Sequence, residues 1–126
     1  MFEAKDIMST VLVTVKKDTP IYKAIEIMAE KNLTGLPVVD DDLTLLGIVS
    51  EKDVLKLINN SENTGERVED FMTFEPVSFG EHDDLMEICE CLIDNDFRRL
   101  PIVSGGKLVG IISRKDIIRY IAEPER

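Results

Sequence analysis

The chain of 126 residues states nearly the same pattern twice. Asp6-Ile7-Met8 leads to Leu36-Pro37-Val38-Val39, then to Gly47-Ile48-Val49-Ser50 and Lys52-Asp53. Asp70-Phe71-Met72 leads in the same order to Leu100-Pro101-Ile102-Val103, Gly110-Ile111-Ile112-Ser113 and Lys115-Asp116. Matched positions lie 64 apart as far as the prolines and 63 apart from the glycines onward, so one turn has lost a residue. Duplication with a single slip implies two copies of one structural unit, able to pair about a pseudo-twofold axis with a cleft between them. A repeat of about fifty residues buries too little surface to be comfortable alone, so the copies are expected to pack on each other.

Within the first copy, Leu12-Val13-Thr14-Val15 is a short β-rich run, and Thr19-Pro20 reads as an N-cap followed by the first helical residue. Ile21, Ala24, Ile25 and Met28 recur at helical spacing, and Asn32 ends that helix. Leu36 to Val39 and Leu45 to Val49 read as strands around an Asp40-Asp41-Asp42 turn, and Ser50 opens a helix through Val54, Leu55 and Ile58. The second copy repeats this β-α-β-β-α order. Its first strand is Val77-Ser78-Phe79, and Asp83-Asp84 are placed in the first turn of a helix whose apolar face is Leu85, Ile88, Cys89 and Leu92. Leu100 to Val103 and Leu108 to Ile112 are joined by Ser104-Gly105-Gly106, and Ser113 starts the last helix. The Gly-Gly pair accounts for the slip, because a shorter hairpin loop needs residues that tolerate positive φ. The expected division is a first repeat over 1–60, a polar linker over 61–69 and a second repeat over 70–126, integrated as one module.

The net charge of −10 opposes a nucleic-acid duplex or an anionic membrane surface as partner. No apolar run approaches the roughly 18 residues that span a bilayer, and no basic signal-peptide start precedes one, so a cytoplasmic location is expected. Cys89 and Cys91 are two apart on a helix and point to different faces, which reads as reduced thiols rather than a zinc pair or a disulfide. His82 is read as a polar residue near a helix start. The Asp40-Asp41-Asp42 turn lacks the spaced ligands and closing Glu of a calcium loop. With no nucleophile beside a base and no glycine-rich phosphate loop, enzyme activity is not expected.

The paired Leu-Pro-Val/Ile-Val and Gly-Ile-Val/Ile-Ser-x-Lys-Asp segments resemble a tandem of CBS domains (the cystathionine β-synthase type), a Bateman module, from about Asp6 to Ile121. The resemblance implies an α+β fold of two βαββα repeats packed sheet to sheet about a pseudo-twofold axis. It implies two clefts for adenosine-containing ligands such as AMP, ADP, ATP or S-adenosylmethionine, with no required cofactor and no metal. It further implies a small stand-alone regulatory protein that forms a homodimer and acts on a partner protein. Carried over by position, cleft one would use Val13, Leu33, Thr34, Gly35 and Pro37 with Ile111, Ser113 and Asp116. Cleft two would use Val77, Phe97, Arg98, Arg99 and Pro101 with Ile48, Ser50 and Asp53.

Ser50-x-x-Asp53 and Ser113-x-x-Asp116 each have two readings. One is a capping box at a helix start. The other is a carboxylate that accepts from both ribose hydroxyls while phosphate meets the helix N-terminus. The two roles are compatible. Arg98-Arg99 stand where the first copy has Thr34-Gly35, so cleft two is expected to be the stronger phosphate site. The alternative function is a dimerising interaction scaffold whose clefts hold no nucleotide. A third reading is a piece of a longer protein, with Glu123-Pro124-Glu125-Arg126 as a tail or linker stub.

Overall fold

The computed structural model describes residues 2–59 and 66–123, with the backbone alone at 58 and 59. Most of the expected linker, the Ile58 side chain and the Pro124-Glu125-Arg126 end therefore lie outside the described residues. The chain is a mixed α+β structure with α1 (Ile21–Lys31), β1 (Gly35–Val39), β2 (Leu45–Ser50), α2 (Glu51–Asn59), β3 (Thr73–Phe74), β4 (Phe79–Gly80), α3 (Leu85–Asp94), β5 (Arg99–Ser104), β6 (Lys107–Ser113) and α4 (Arg114–Ala122). Two three-stranded sheets result, ordered β1-β2-β3 and β4-β5-β6.

Apolar spacing places the helices as expected. Ile21, Ala24 and Met28 are buried, and Asn32 closes α1 in the left-handed region at φ 54°. The N-terminus of α1 differs from expectation. Pro20 takes the cap position, with no side chain able to accept a hydrogen bond. Thr19 instead spends its hydroxyl on the Lys16 N–H, 3.1 Å away, closing the preceding turn. The Ile21 N–H donates to the Glu66 carbonyl at 2.8 Å, so a distant segment finishes the helix. In α2, Val54 and Leu57 pack on the core, whereas Leu55 is turned out to solvent. Asp84 is the N-cap of α3 and accepts from Met86 N–H. Asp83 also precedes that helix, and its carboxylate accepts from Gly80 N–H at 2.6 Å.

The hairpins explain the slip. Val39 pairs with Leu45 across the Asp40–Thr44 loop, whereas Val103 pairs with Leu108, one residue closer in sequence. Gly105 and Gly106 make the shorter loop with φ of 59° and 81°, a conformation other residues adopt at a cost. Both first strands are shorter than expected. Of Leu12 to Val15, only Val15 forms a bridge, to Val38. Of Val77 to Phe79, only Phe79 lies in β4, which runs parallel to β5. In each case the edge strand offers a partner over only one or two residues.

The compact units are cut differently from the sequence repeats. One unit is Val13–Pro76, and the other joins Met1–Leu12 to Val77–Arg126. The leading segment of each copy thus completes the core of the other. Val68, Phe71 and Met72 are buried with Val15, Ile21, Leu36, Val38 and Val49. Ala4 is buried with Ile88, Leu100, Ile102 and Ile112. Each leading segment is a one-turn 3-10 helix, Ala4–Asp6 or Val68–Asp70. Its aspartate folds back to hold the turn: Asp6 accepts from Glu3 N–H at 2.9 Å, and Asp70 from Glu66 and Arg67 N–H at 3.0 Å each.

The methionine that ends each motif lies on a glycine of the sheet it joins. A Cβ at Gly110 would meet the Met8 side chain, 2.7 Å from its Cγ. One at Gly47 would meet the Thr73 carbonyl oxygen at 2.6 Å and Met72 Sδ at 3.0 Å. The glycines are therefore needed for close approach. Gly47→Ala and Gly110→Ala should each cost about 1–3 kcal/mol in urea unfolding, the usual range for overpacking. Met8→Ala should relieve much of the Gly110→Ala penalty, since the three atoms nearest the added Cβ all belong to that side chain. Met72→Ala should not relieve Gly47→Ala, because the Thr73 carbonyl stays in place. Equal rescue at both glycines would contradict this packing.

Candidate functional site

Both copies turn from strand to helix at a serine, and the two corners are built alike. Ser50 N–H and Oγ donate to Asp53 Oδ2 at 2.8 and 3.0 Å, while Asp53 N–H donates back to Ser50 Oγ at 3.3 Å. Ser113 and Asp116 repeat this at 2.8, 3.0 and 3.2 Å. The capping reading is therefore realised in both copies. It commits Oδ2 of each aspartate and leaves Oδ1 with one long ion pair, Lys56 at 3.8 Å or Arg119 at 3.7 Å. Such pairs contribute at most about 1 kcal/mol near solvent, so Oδ1 remains open to a better donor. Asp53 is 9% exposed, a charge otherwise costly to bury.

Each corner is tied to the segment before the proline. Glu51 N–H donates to the Thr34 carbonyl at 2.9 Å, and Arg114 N–H to the Arg98 carbonyl at 3.2 Å. Across the hairpins, Gly35 faces Ser50 and Pro37 faces Ile48, just as Arg99 faces Ser113 and Pro101 faces Ile111. Within the unit Val13–Pro76 the structure thus brings together Thr34, Gly35, Pro37, Ile48, Ser50 and Asp53. Val13 and Leu33 pack partly buried against the same core. Within the other unit it brings together Arg98, Arg99, Pro101, Ile111, Ser113 and Asp116. Phe97 packs on that core, and Val77 is exposed. Every expected cleft draws one half from each unit, and each unit carries one half of both.

The difference between copies falls opposite the serine. Gly35 has no side chain there, and a Cβ would stand 3.2 Å from the Val49 carbonyl oxygen. Arg99 fills the matching position. Burial lowers its pKa, the nearby Asp116 charge opposes that, and Arg99 Nε has no hydrogen-bond partner among the described residues. The proximity of Arg99 to Asp116 escaped sequence reasoning, which assigned them to different clefts; the facing of Arg99 and Ser113 across the hairpin was the available signal.

Other candidates resolve into structural roles. Asp40 Oδ1 accepts from Thr44 and Asp42 N–H. Lys16, hydrogen-bonded to Asp41 at 2.7 Å, holds that carboxyl below its ordinary range. Among the described residues no group of three or more His, Cys, Asp or Glu could hold a metal ion. His82 lies between Glu3 and Glu81, 3.1 and 3.3 Å away. Cys89 and Cys91 are free, and burial followed by the Asp84 charge pushes the Cys89 thiol up. No described helix is long and apolar enough to cross a membrane.

Comparison with known proteins gives a consistent picture. The CBS-domain family model matches residues 4–60 and again 68–123. An uncharacterised protein of Methanocaldococcus jannaschii is 32% identical over 117 residues, covering 93% of this chain and 42% of that protein. The chloroplastic CBS domain-containing protein CBSX2 of Arabidopsis thaliana is 33% identical over 141 aligned positions, covering 89% of this chain and 59% of that one. The chain thus spans between about a third and three-fifths of the first curated relatives it matches. The crystal structure of CBSX2 in complex with AMP superposes with a TM-score of 0.92 at 36% identity, covering 100% of both chains. An inosine-5′-monophosphate dehydrogenase of Thermoplasma acidophilum is 42% identical over 106 residues, but these make up 21% of that enzyme.

Removing either serine hydroxyl should test the corner. Ser50→Ala and Ser113→Ala should each destabilise the protein by about 1 kcal/mol in urea unfolding, the usual value of a lost N-cap. No loss in either variant would mean that the hydroxyls are not holding the helix starts.

Proposed function

The chain belongs to the CBS-domain family as a tandem pair, and we propose that it is a regulatory sensor of adenine nucleotides. In this reading the two repeats act as one module, and residues of both contribute to holding the ligand. Asp53 or Asp116 receives the ribose hydroxyls on Oδ1. Val13, Leu33, Val77 and Phe97 with Ile48 and Ile111 flank the adenine, and backbone groups around Pro37 and Pro101 meet its edge. The ligand regulates by preferring one conformation over another, and its effect passes to a partner protein or to self-association. The observation that carries the reading is the pair of matching Ser-x-x-Asp corners, each with one carboxylate oxygen committed and the other open. The likeness to a CBS pair solved with AMP, at 36% identity over the whole chain, supports adenosine chemistry.

The two clefts are not equivalent. Arg98 and Arg99 give cleft two a planar, charged fork for phosphate. The missing hydrogen-bond partner of Arg99 Nε supports a ligand role for that side chain. Cleft one, with Thr34 and Gly35 at the matching positions, suits a less charged adenosine compound or weaker binding.

Thermal-shift and calorimetric titration with AMP, ADP, ATP and S-adenosylmethionine test this. A ligand bound only by the folded state raises the unfolding temperature, and AMP is expected to do so. A charged hydrogen bond contributes about 1.5–3 kcal/mol, so Asp53→Ala and Arg99→Ala should each weaken AMP binding roughly ten- to a hundredfold. A flat response across all four compounds would favour the dimerising scaffold instead.

A further inference from the structure

Arg99 stands beside the Ser113–Asp116 corner of its own repeat. It faces Ser113 directly across the β5/β6 hairpin. Side chains of facing residues leave a sheet on the same side, with Cβ atoms about 4.5–5.5 Å apart. Ser113 Oγ in turn donates to Asp116 Oδ2 at 3.0 Å, so the base of the Arg99 side chain and the Asp116 carboxylate flank one hydroxyl. Arg99 is partly buried. Burial works against its charge, the Asp116 carboxylate supports it, and the buried Nε has no hydrogen-bond partner among the described residues. A guanidinium with an unused donor beside a carboxylate can exchange that anion for a phosphate, which its planar fork also fits. The first copy has no counterpart. Gly35 faces Ser50, and a Cβ there would stand 3.2 Å from the Val49 carbonyl oxygen. Two corners built on the same three hydrogen bonds therefore differ by one facing charge.

We propose that Arg99 couples the two ligands, competing with ribose for Asp116 until the phosphate of a nucleotide on Asp53 draws it away. The inference rests on the nucleotide reading above and gives its two ligands a fixed relation. With the guanidinium near, Asp116 Oδ1 accepts a ribose hydroxyl less strongly, because a partly neutralised carboxylate makes a weaker hydrogen bond than a free one. A phosphate that takes Arg99 leaves Asp116 with its full charge. By linkage the converse also holds, and a ribose on Asp116 releases Arg99 for phosphate. The restraint acts on one corner only, since Gly35 sets no charge against Asp53 from the matching position. A nucleotide on Asp53 thus prepares Asp116 for an uncharged adenosine compound.

Calorimetry on variants with a single corner tests it. Asp53→Ala leaves Asp116 as the ribose acceptor, and Asp116→Ala leaves Asp53. In Asp53→Ala, adding Arg99→Met should tighten adenosine binding about fivefold, the low end of coupling between sites, because the competitor is gone and the apolar stem is kept. Arg99→Gly, the residue of the first copy, should do the same. Asp116→Ala should bind AMP about fivefold more tightly than the wild type does at its stronger site, because Arg99 is no longer held back. Adding Arg99→Met to Asp116→Ala should abolish that gain. A merely structural role for Arg99 would weaken both ligands, whereas the coupling moves them in opposite directions. Adenosine binding that Arg99→Met leaves unchanged or weakens in Asp53→Ala, or AMP binding that Asp116→Ala does not tighten, would overturn the proposal and leave the nucleotide reading in place. No binding of either compound by any of these proteins, wild type included, would overturn both.

Discussion

Two methionines laid over two glycines hold each half of this chain together, and they do so crosswise. Met8 lies on Gly110 and Met72 on Gly47, so the segment that opens each copy is fastened to the sheet of the other. The buried Ala4 and Val68 beside them complete the cores they join. This dependence accounts for three features at once. A glycine stands inside the second hairpin strand of each copy, Gly47 in β2 and Gly110 in β6, because a methionine side chain, joined at Gly47 by the Thr73 carbonyl, occupies the place of its Cβ. The aspartate two residues before each methionine is kept because it closes the 3-10 turn that presents it. The cap of α1 is supplied by Glu66 rather than Thr19 because the crossing segment passes that helix start.

On this frame the serine corners are structural before they are functional. Each fixes a helix start with three hydrogen bonds and ties it to the carbonyl preceding the hairpin. An aspartate held in this way is preorganised, so a ligand meeting its second oxygen need not order the side chain first. Duplication then permits divergence. With the scaffold repeated, a change at the residue opposite the serine, glycine in one copy and arginine in the other, alters what is offered to a ligand without disturbing the corner.

Helix faces, hairpins and the serine corners were legible in the sequence because they depend on local spacing. The apolar period of α1 and α3, the Asn32 stop and the Gly105-Gly106 turn all stand as read. The crossing was not legible. Both copies carry the same Asp-x-Met and the same glycine, so identical motifs cannot say which methionine serves which sheet. For the same reason a division by repeats differs from the division by compact units. The first strands were overestimated because β-rich composition reports what a residue tolerates, while pairing requires a neighbour in register. The closeness of Arg99 and Asp116 escaped because it depends on strand register as well as on helix phase.

The crosswise arrangement also has a consequence for biosynthesis. Residues 13–76 form one contiguous unit, which has all its pieces as soon as Pro76 clears the ribosome. Residues 1–12 emerge before any of it, yet their site is made from the stretch that begins at Val77. Ala4 and Met8 are therefore made before the sheet that receives them, and lack their partners until the stretch from Ile88 to Ile112 has followed.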